Sequence, residues 1–207
     1  MNSISISGNR GPLLALQRLA RARKAREICE LCSVELSSTH RHLFEVAKRQ
    51  ILCACPSCAL TFENVAGGRL KLIPRDVRDL PGFQIPDAQW DVLALPIGLA
   101  FFFYSTPNGR FTAMYPSPAG ATESLLPVGR WQIMVCSESR LDKMQADVEA
   151  LLVNRTRSPH SYYLVPIDVC YKLVGLIRVH WRGLSGGEMV WLELERFYEK
   201  LSGGGTF

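Results

Sequence analysis

Five of the chain's seven cysteines lie between positions 29 and 58, as CELC at 29–32 and CACPSC at 53–58. Within them, Cys29 and Cys32 form one C-x2-C pair, and Cys55 and Cys58 form another. Each pair can set two sulfurs on one ion, because the tight turn after the first cysteine brings the second alongside it. Two such turns facing each other complete a tetrahedron. The predicted metal ligands are therefore Cys29, Cys32, Cys55 and Cys58. Four thiolates bind zinc, and they also bind a single iron as in rubredoxins. Ser33 and Ala59 stand where rubredoxins usually carry glycine, and only Phe44 and Phe62 supply nearby aromatics, which favours zinc with iron as the alternative. A donor set of four thiolates has no open coordination position, so the expected ion is structural, not catalytic. A thioredoxin-type redox pair would instead need one C-x2-C at a helix N-terminus after a core strand.

Cys53, His40 and His42 are alternative ligands. On a strand, Cys53 and Cys55 would share a face, so either could be the third ligand, or Cys53 could be a spare buried thiol. His40 and His42 alternate in the same way. They are expected as exposed side chains near a hairpin tip, where they contact a partner or ligate if a thiolate is absent. Cys136 and Cys170 sit in apolar runs and read as inert core. No catalytic residues are assigned. No nucleophile stands at recognisable spacing from a base, and no phosphate-cradling glycine loop is present.

The elements that must hold these groups can be read from pattern. Residues 1–27 form a basic arm, with a helix expected over 12–27. Residues 28–66 form a small metal module of zinc-ribbon or rubredoxin type, with a β-hairpin between its cysteine pairs. Residues 67–89, rich in proline and glycine, read as a linker or wrapping loop. Residues 90–207 form an α+β domain with an antiparallel sheet. In it, LAFFFYS (99–105), TPNG and RFTAMYP (110–116) predict a hairpin turned at Asn108-Gly109. WQIMVC (131–136) reads as a further strand, and YPSPAGATESLLP (115–127) as a long connecting loop. Leu141, Met144, Val148, Leu151 and Leu152 have helical spacing after a cap at Ser139. YYLVP (162–166) predicts a strand leading into a buried helix capped by Asp168. Val190, Leu194, Phe197 and Leu201 line a terminal helix. The overall class is α+β.

Residues 1–26 hold six cations and no acid, which leaves the rest of the chain slightly acidic. Such an arm suits an acidic protein surface or, less favoured, nucleic acid. The most apolar run, residues 92–104, contains Pro96 and Gly98 and is shorter than the roughly 20 residues of a membrane span. No transmembrane segment and no secretory signal is expected, and a cytoplasmic location follows as the expectation, in which clustered thiols indicate metal rather than disulfides.

CELC, HRHL at 40–43, CACPSCAL at 53–60, GLAFFF at 98–103, YPSPAGATESLL at 115–126, LVPIDVCYKLVGLIR at 164–178 and the W-x-G-x-SGG stretch at 181–187 together resemble an uncharacterised bacterial family of unknown function. Its members are often encoded beside high-affinity [NiFe] hydrogenases of actinobacterial type. The resemblance runs from about residue 27 to 201. It implies a protein partner, a [NiFe] hydrogenase subunit or maturation factor, and supplies no catalytic residue. The combined expectation is a non-enzymatic metal-binding accessory protein. A rubredoxin-like electron carrier and a zinc-ribbon nucleic-acid binder are the alternatives.

Overall fold

The computed structural model describes residues 27–62, 68–124, 139–183 and 185–203. The helix expected over 12–27, the strand expected at 131–136 and Cys136 lie outside these residues, apart from Glu27. Two antiparallel sheets organise the described chain. The first has three strands in the order β2-β1-β3, built from β1 (Arg41–Glu45), β2 (Gln50–Ala54) and β3 (Leu70–Leu72). Between β2 and β3 runs the short helix α1 (Pro56–Phe62), with Pro56 in the first helical turn, where its missing N–H costs nothing.

The second sheet has the order β4-β9-β8-β5-β6-β7. Its strands are β4 (Arg78–Asp79), β5 (Leu99–Ser105), β6 (Arg110–Ser117), β7 (Gly120–Glu123), β8 (Glu149–Asn154) and β9 (Ser161–Pro166). Strands alternate side chains between faces, and both faces here are covered. Leu99, Phe101 and Phe103 join Ala150, Leu152, Tyr163 and Val165 beneath two long helices, α3 (Ile167–His180) and α4 (Glu188–Ser202). Ala100 and Phe102, with Leu151, Val153 and Leu164, pack on the opposite side against Leu80, Phe83, Ile85, Trp90 and Leu93. Trp90 belongs to the one-turn helix α2 (Asp87–Asp91). Burial on both faces explains why these strands are continuously apolar instead of alternating.

The architecture is α+β with antiparallel sheets, as the pattern predicts. The 99–116 hairpin and the buried stripe Val190, Leu194, Phe197 and Leu201 are where they are expected. Four expectations need correction. Residues 149–154 are a strand, not the end of a helix: Asp147 takes a positive φ of 71°, and the chain then pairs with β5 and β9. The apolar spacing that imitates a helix arises because successive side chains are buried on opposite faces. Within 67–89, the stretch read as a linker or wrapping loop, residues 70–72 are β3 of the small sheet and 78–79 are β4 of the large one, so it is not unstructured connecting chain throughout. Residues 115–123 are not a loop either. They continue β6 into β7 through a turn at Pro118-Ala119. Asp168 does not cap α3. Pro166 occupies the cap, and Asp168 lies inside the first turn.

The small sheet is fastened to the large one. Phe44, Val46 and Ile73 share a core with α3 and α4. Lys71 Nζ donates to buried Asp147 at 2.6 Å, and Asp147 also accepts from the Thr106 N–H and hydroxyl. Arg49, at the β1–β2 turn, donates to Glu123 of β7 at 2.9 Å.

Gly98 sits where two stretches of the backbone nearly touch. A Cβ there would lie 2.9 Å from the Arg155 carbonyl carbon and 3.0 Å from Thr156 N, both backbone atoms that no rotamer change can move. Gly98→Ala should therefore destabilise by about 1–3 kcal/mol and lower Tm by roughly 2–12 °C. A Cβ on Gly175, inside α3, would meet nothing within 4 Å among the described residues. Gly175→Ala should stabilise by roughly 0.5–1 kcal/mol through helix propensity. Thermal denaturation of the two variants reads the opposite signs.

Candidate metal centre

The first cysteine pair lies on a turn closed by a bridge between Ile28 and Glu35. The Cys29 N–H donates to Val34 O at 2.8 Å, and the Ser33 N–H donates to Cys29 O at 2.8 Å. Ser33 completes the turn with a positive φ of 61°, a conformation easier for glycine. The second pair sits where β2 ends and α1 begins. Ala59 N–H donates to Cys55 O at 2.9 Å, which winds Cys58 into the first helical turn. The two turns are joined by Glu30, whose N–H donates to Cys53 O and whose carboxylate accepts from Cys53 N–H at 2.6 Å.

The result is one cluster. The sulfurs of Cys29, Cys32, Cys55 and Cys58 all lie within 4.8 Å of one another, and all four cysteines are free thiols. Cys32 and Cys55 are separated by 3.7 Å between sulfurs. That is far longer than a disulfide. It matches the edge of about 3.8 Å expected for a tetrahedral ion bound to sulfur at about 2.3 Å. Cys29 is fully buried and Cys32 exposed, so the centre lies at the protein surface with one ligand facing out.

Electrostatics favour a cation. Burial pushes the Cys29 thiol up, but backbone N–H donors of Cys55, Leu31 and Cys32 outweigh it and bring its pKa down to about 6. Cys58 is pushed up to about 12 by burial and by the neighbouring sulfurs of Cys32, Cys55 and Cys29. Once one thiolate is held in the cluster, the next cannot ionise cheaply without a counter-ion. A divalent cation removes that penalty for all four. Among the described residues, the donors fit such an ion, and the site's chemistry is that of a closed, thiolate-only centre.

The alternative ligands are placed elsewhere. Along β1, residues 41, 43 and 45 face α1, where Leu43 packs with Ala54 and Ala59, whereas Phe44 faces the large sheet. His42 shares the face of Phe44. Cys53 stands directly opposite His42, so it too faces away from the four-sulfur cluster. The chain leaves the strand at Cys55, and the shared face expected for Cys53 and Cys55 is lost there. His40 and His42 are not near the hairpin tip, which is Val46–Arg49. They lie at the other end of β1, with side chains only 7% and 18% exposed. His42 Nδ1 is 2.7 Å from Asp168 Oδ2 on α3. Sequence reasoning missed that contact, which spans 126 positions. Burial, with the nearby charges of Glu30 and Glu27, also pushes the Cys53 thiol up. Cys170, on α3, is buried in the core, as expected.

The fold and site thus define an α+β protein that carries a four-cysteine group able to hold a metal ion. The chain belongs to the family of unknown function DUF5947, which matches residues 28–204. No curated protein and no solved structure matches it. No helix among the described residues is long and apolar enough to cross a membrane.

Zinc requires thiolates, so its binding at pH 7 should expel the proton held by Cys58. Affinity should fall as pH drops, more steeply below about 6, where Cys29 takes up a proton as well. Calorimetric titration of the metal-free protein in two buffers of different ionisation enthalpy should give different apparent binding heats. Equal heats would show that no proton leaves.

Proposed function

We propose that this chain is a non-enzymatic, metal-binding accessory protein that works through protein–protein contacts, with a [NiFe] hydrogenase subunit or maturation factor as its partner. The four-thiolate cluster carries the metal-binding part of this reading. Four sulfurs satisfy a tetrahedral ion completely and leave no position for a substrate or an attacking water. The ion's work is then to fix the two turns, beside which the fully buried apolar cluster among the described residues is small: Leu43, Ala54 and Ala59. Ile28, Val34 and Leu60, each adjacent or close in sequence to a ligand cysteine, are at least half exposed. Large apolar side chains held rigidly at a surface support a docking role. The hydrogenase partner rests on the motif resemblance from CELC to W-x-G-x-SGG.

A second reading is a rubredoxin-like iron carrying single electrons. It is favoured by the exposed Cys32, which gives an edge for transfer, and by the Cys58 N–H directed at Cys55 Sγ at 3.4 Å, a bond of the kind that tunes cluster potential. The two readings differ in colour. The expected preparation is colourless with zinc found by elemental emission, whereas a red protein with sulfur-to-iron absorption selects the electron carrier. The tagged chain should capture hydrogenase components from a hydrogenase-expressing bacterium. An Ile28→Asp, Leu60→Asp double variant should keep its metal and lose the capture. Undiminished hydrogenase activity in a deletion strain would sink the partner assignment.

A further inference from the structure

We propose that His40, His42 and Cys53 form a second metal site, separate from the four-cysteine centre, which takes a zinc-like divalent ion through two imidazole nitrogens and one thiolate and leaves one coordination position open. The proposal goes beyond the accessory reading and depends on neither the hydrogenase nor the ion in the first centre.

Strand geometry brings the three residues together. His42 and Cys53 are cross-strand partners. Cys53 turns its N–H and C=O outward to Glu30, and His42 turns its C=O outward to the Ile73 N–H. The pair is therefore of the non-hydrogen-bonded kind, in which opposing Cα atoms stand only about 4.5 Å apart. His40 lies two residues before His42, and their rings meet edge to face with centroids 4.8 Å apart. One donor atom from each of the three residues lies within 4.8 Å of the others. A tetrahedral ion with bonds of about 2.0–2.3 Å needs donors roughly 3.3–3.8 Å apart, so shifts of about 1 Å complete the geometry.

Both imidazoles are oriented for ligation. His40 Nδ1 donates to Ser37 O at 3.0 Å, and His42 Nδ1 donates to Asp168 Oδ2 at 2.7 Å. In each neutral ring the proton is held on Nδ1 and the lone pair is left on Nε2. A carboxylate or carbonyl behind a histidine is the usual outer support of a metal-binding imidazole. Among the described residues, His40 Nε2 is buried and has no hydrogen-bond partner, and the same is true of Asp168 Oδ1. Two unpartnered polar atoms in one small neighbourhood point to a group that would satisfy them.

The surrounding charge suits a cation. Glu27 Oε2 is 3.5 Å from His40 Nδ1, Glu30 accepts from the Cys53 N–H, and Asp168 stands behind His42. Against these three carboxylates stand Arg75, which donates to His40 O at 3.0 Å, and Lys172, 3.9 Å from Asp168. His40, His42, Arg75 and Asp168 border a cavity of about 20 Å³, large enough for a water-sized fourth ligand. Three protein donors with the fourth position open are the arrangement of reactive zinc sites.

The test uses the full chain, equilibrated with zinc and freed of excess by gel filtration, with metal per chain measured by elemental emission. His42→Gln and Cys53→Ser should each lose one zinc that the unaltered protein holds and keep the four-cysteine metal. Asp168→Asn should bind that ion about 10–100-fold more weakly. In the unaltered protein, added zinc should slow alkylation of Cys53, mapped by mass spectrometry, which removes any dependence on how the variants fold. Zinc content unchanged by both ligand substitutions, or a Cys53 alkylation rate indifferent to zinc, overturns the second site.

Discussion

The register of the β1–β2 hairpin governs the whole N-terminal part of the molecule. With His42 opposite Cys53 and Arg41 opposite Ala54, β2 ends one residue before Cys55. That single residue decides which sulfur goes where. Cys53 remains on the strand and faces the large sheet. Cys55 leaves it and turns toward Cys29 and Cys32. A slip of β2 by one residue would exchange its two faces, carrying Cys53 toward α1. The register is pinned by Phe44, which is 1% exposed, and by Leu43, which is fully buried on the other face. Burying such side chains is worth about 1.5–3 kcal/mol each, far more than any single thiol contact. The hydrophobic pattern thus decides which of Cys53 and Cys55 turns toward the four-sulfur cluster.

The same hairpin is tied to the body from three directions. Arg49 reaches Glu123 at the turn, Lys71 reaches Asp147 from the neighbouring strand, and His42 reaches Asp168 at the far end. Asp147 is almost entirely buried. A buried charge is tolerable only when fully paired, and this one accepts from Lys71 and twice from Thr106. The small sheet is accordingly one part of a continuous structure, which shares its core with α3 and α4.

Legibility in the sequence followed the range of the interaction. The C-x2-C pairs, the 99–116 hairpin and the α4 stripe depend on residues close in sequence, and their spacing exposes them. The strand at 149–154 was hidden because burial on both faces erases alternation, leaving an apolar run that a helix would also produce. Strands β3 and β4 are three and two residues long, too short for any period to show. Asp168 is an acid in the first turn of a helix, so helix-end chemistry accounts for it without the histidine it holds. Only the hairpin register could have joined His42 to Cys53, and that register follows from placing Leu43 and Phe44 on opposite faces with a four-residue turn.

The two groups of ligands differ in a way that bears on what each can do. The four-cysteine centre takes every donor from two local turns, so its chemistry is complete within residues 29–58. The histidine–cysteine group takes its donors from the hairpin but its orientation from α3, through Asp168. Any movement of α3 against the small sheet would alter the His42 ring first, since Oδ2 of Asp168 is its one side-chain hydrogen-bond partner at Nδ1 among the described residues. The helix that carries Asp168 also packs against the large sheet, with Ile167, Leu173 and Ile177 fully buried. The carboxylate is therefore held by the main core and not by a loop, and the imidazole inherits that rigidity. A metal site built this way is preorganised by the body of the protein, whereas the four-cysteine group depends on its two local turns alone.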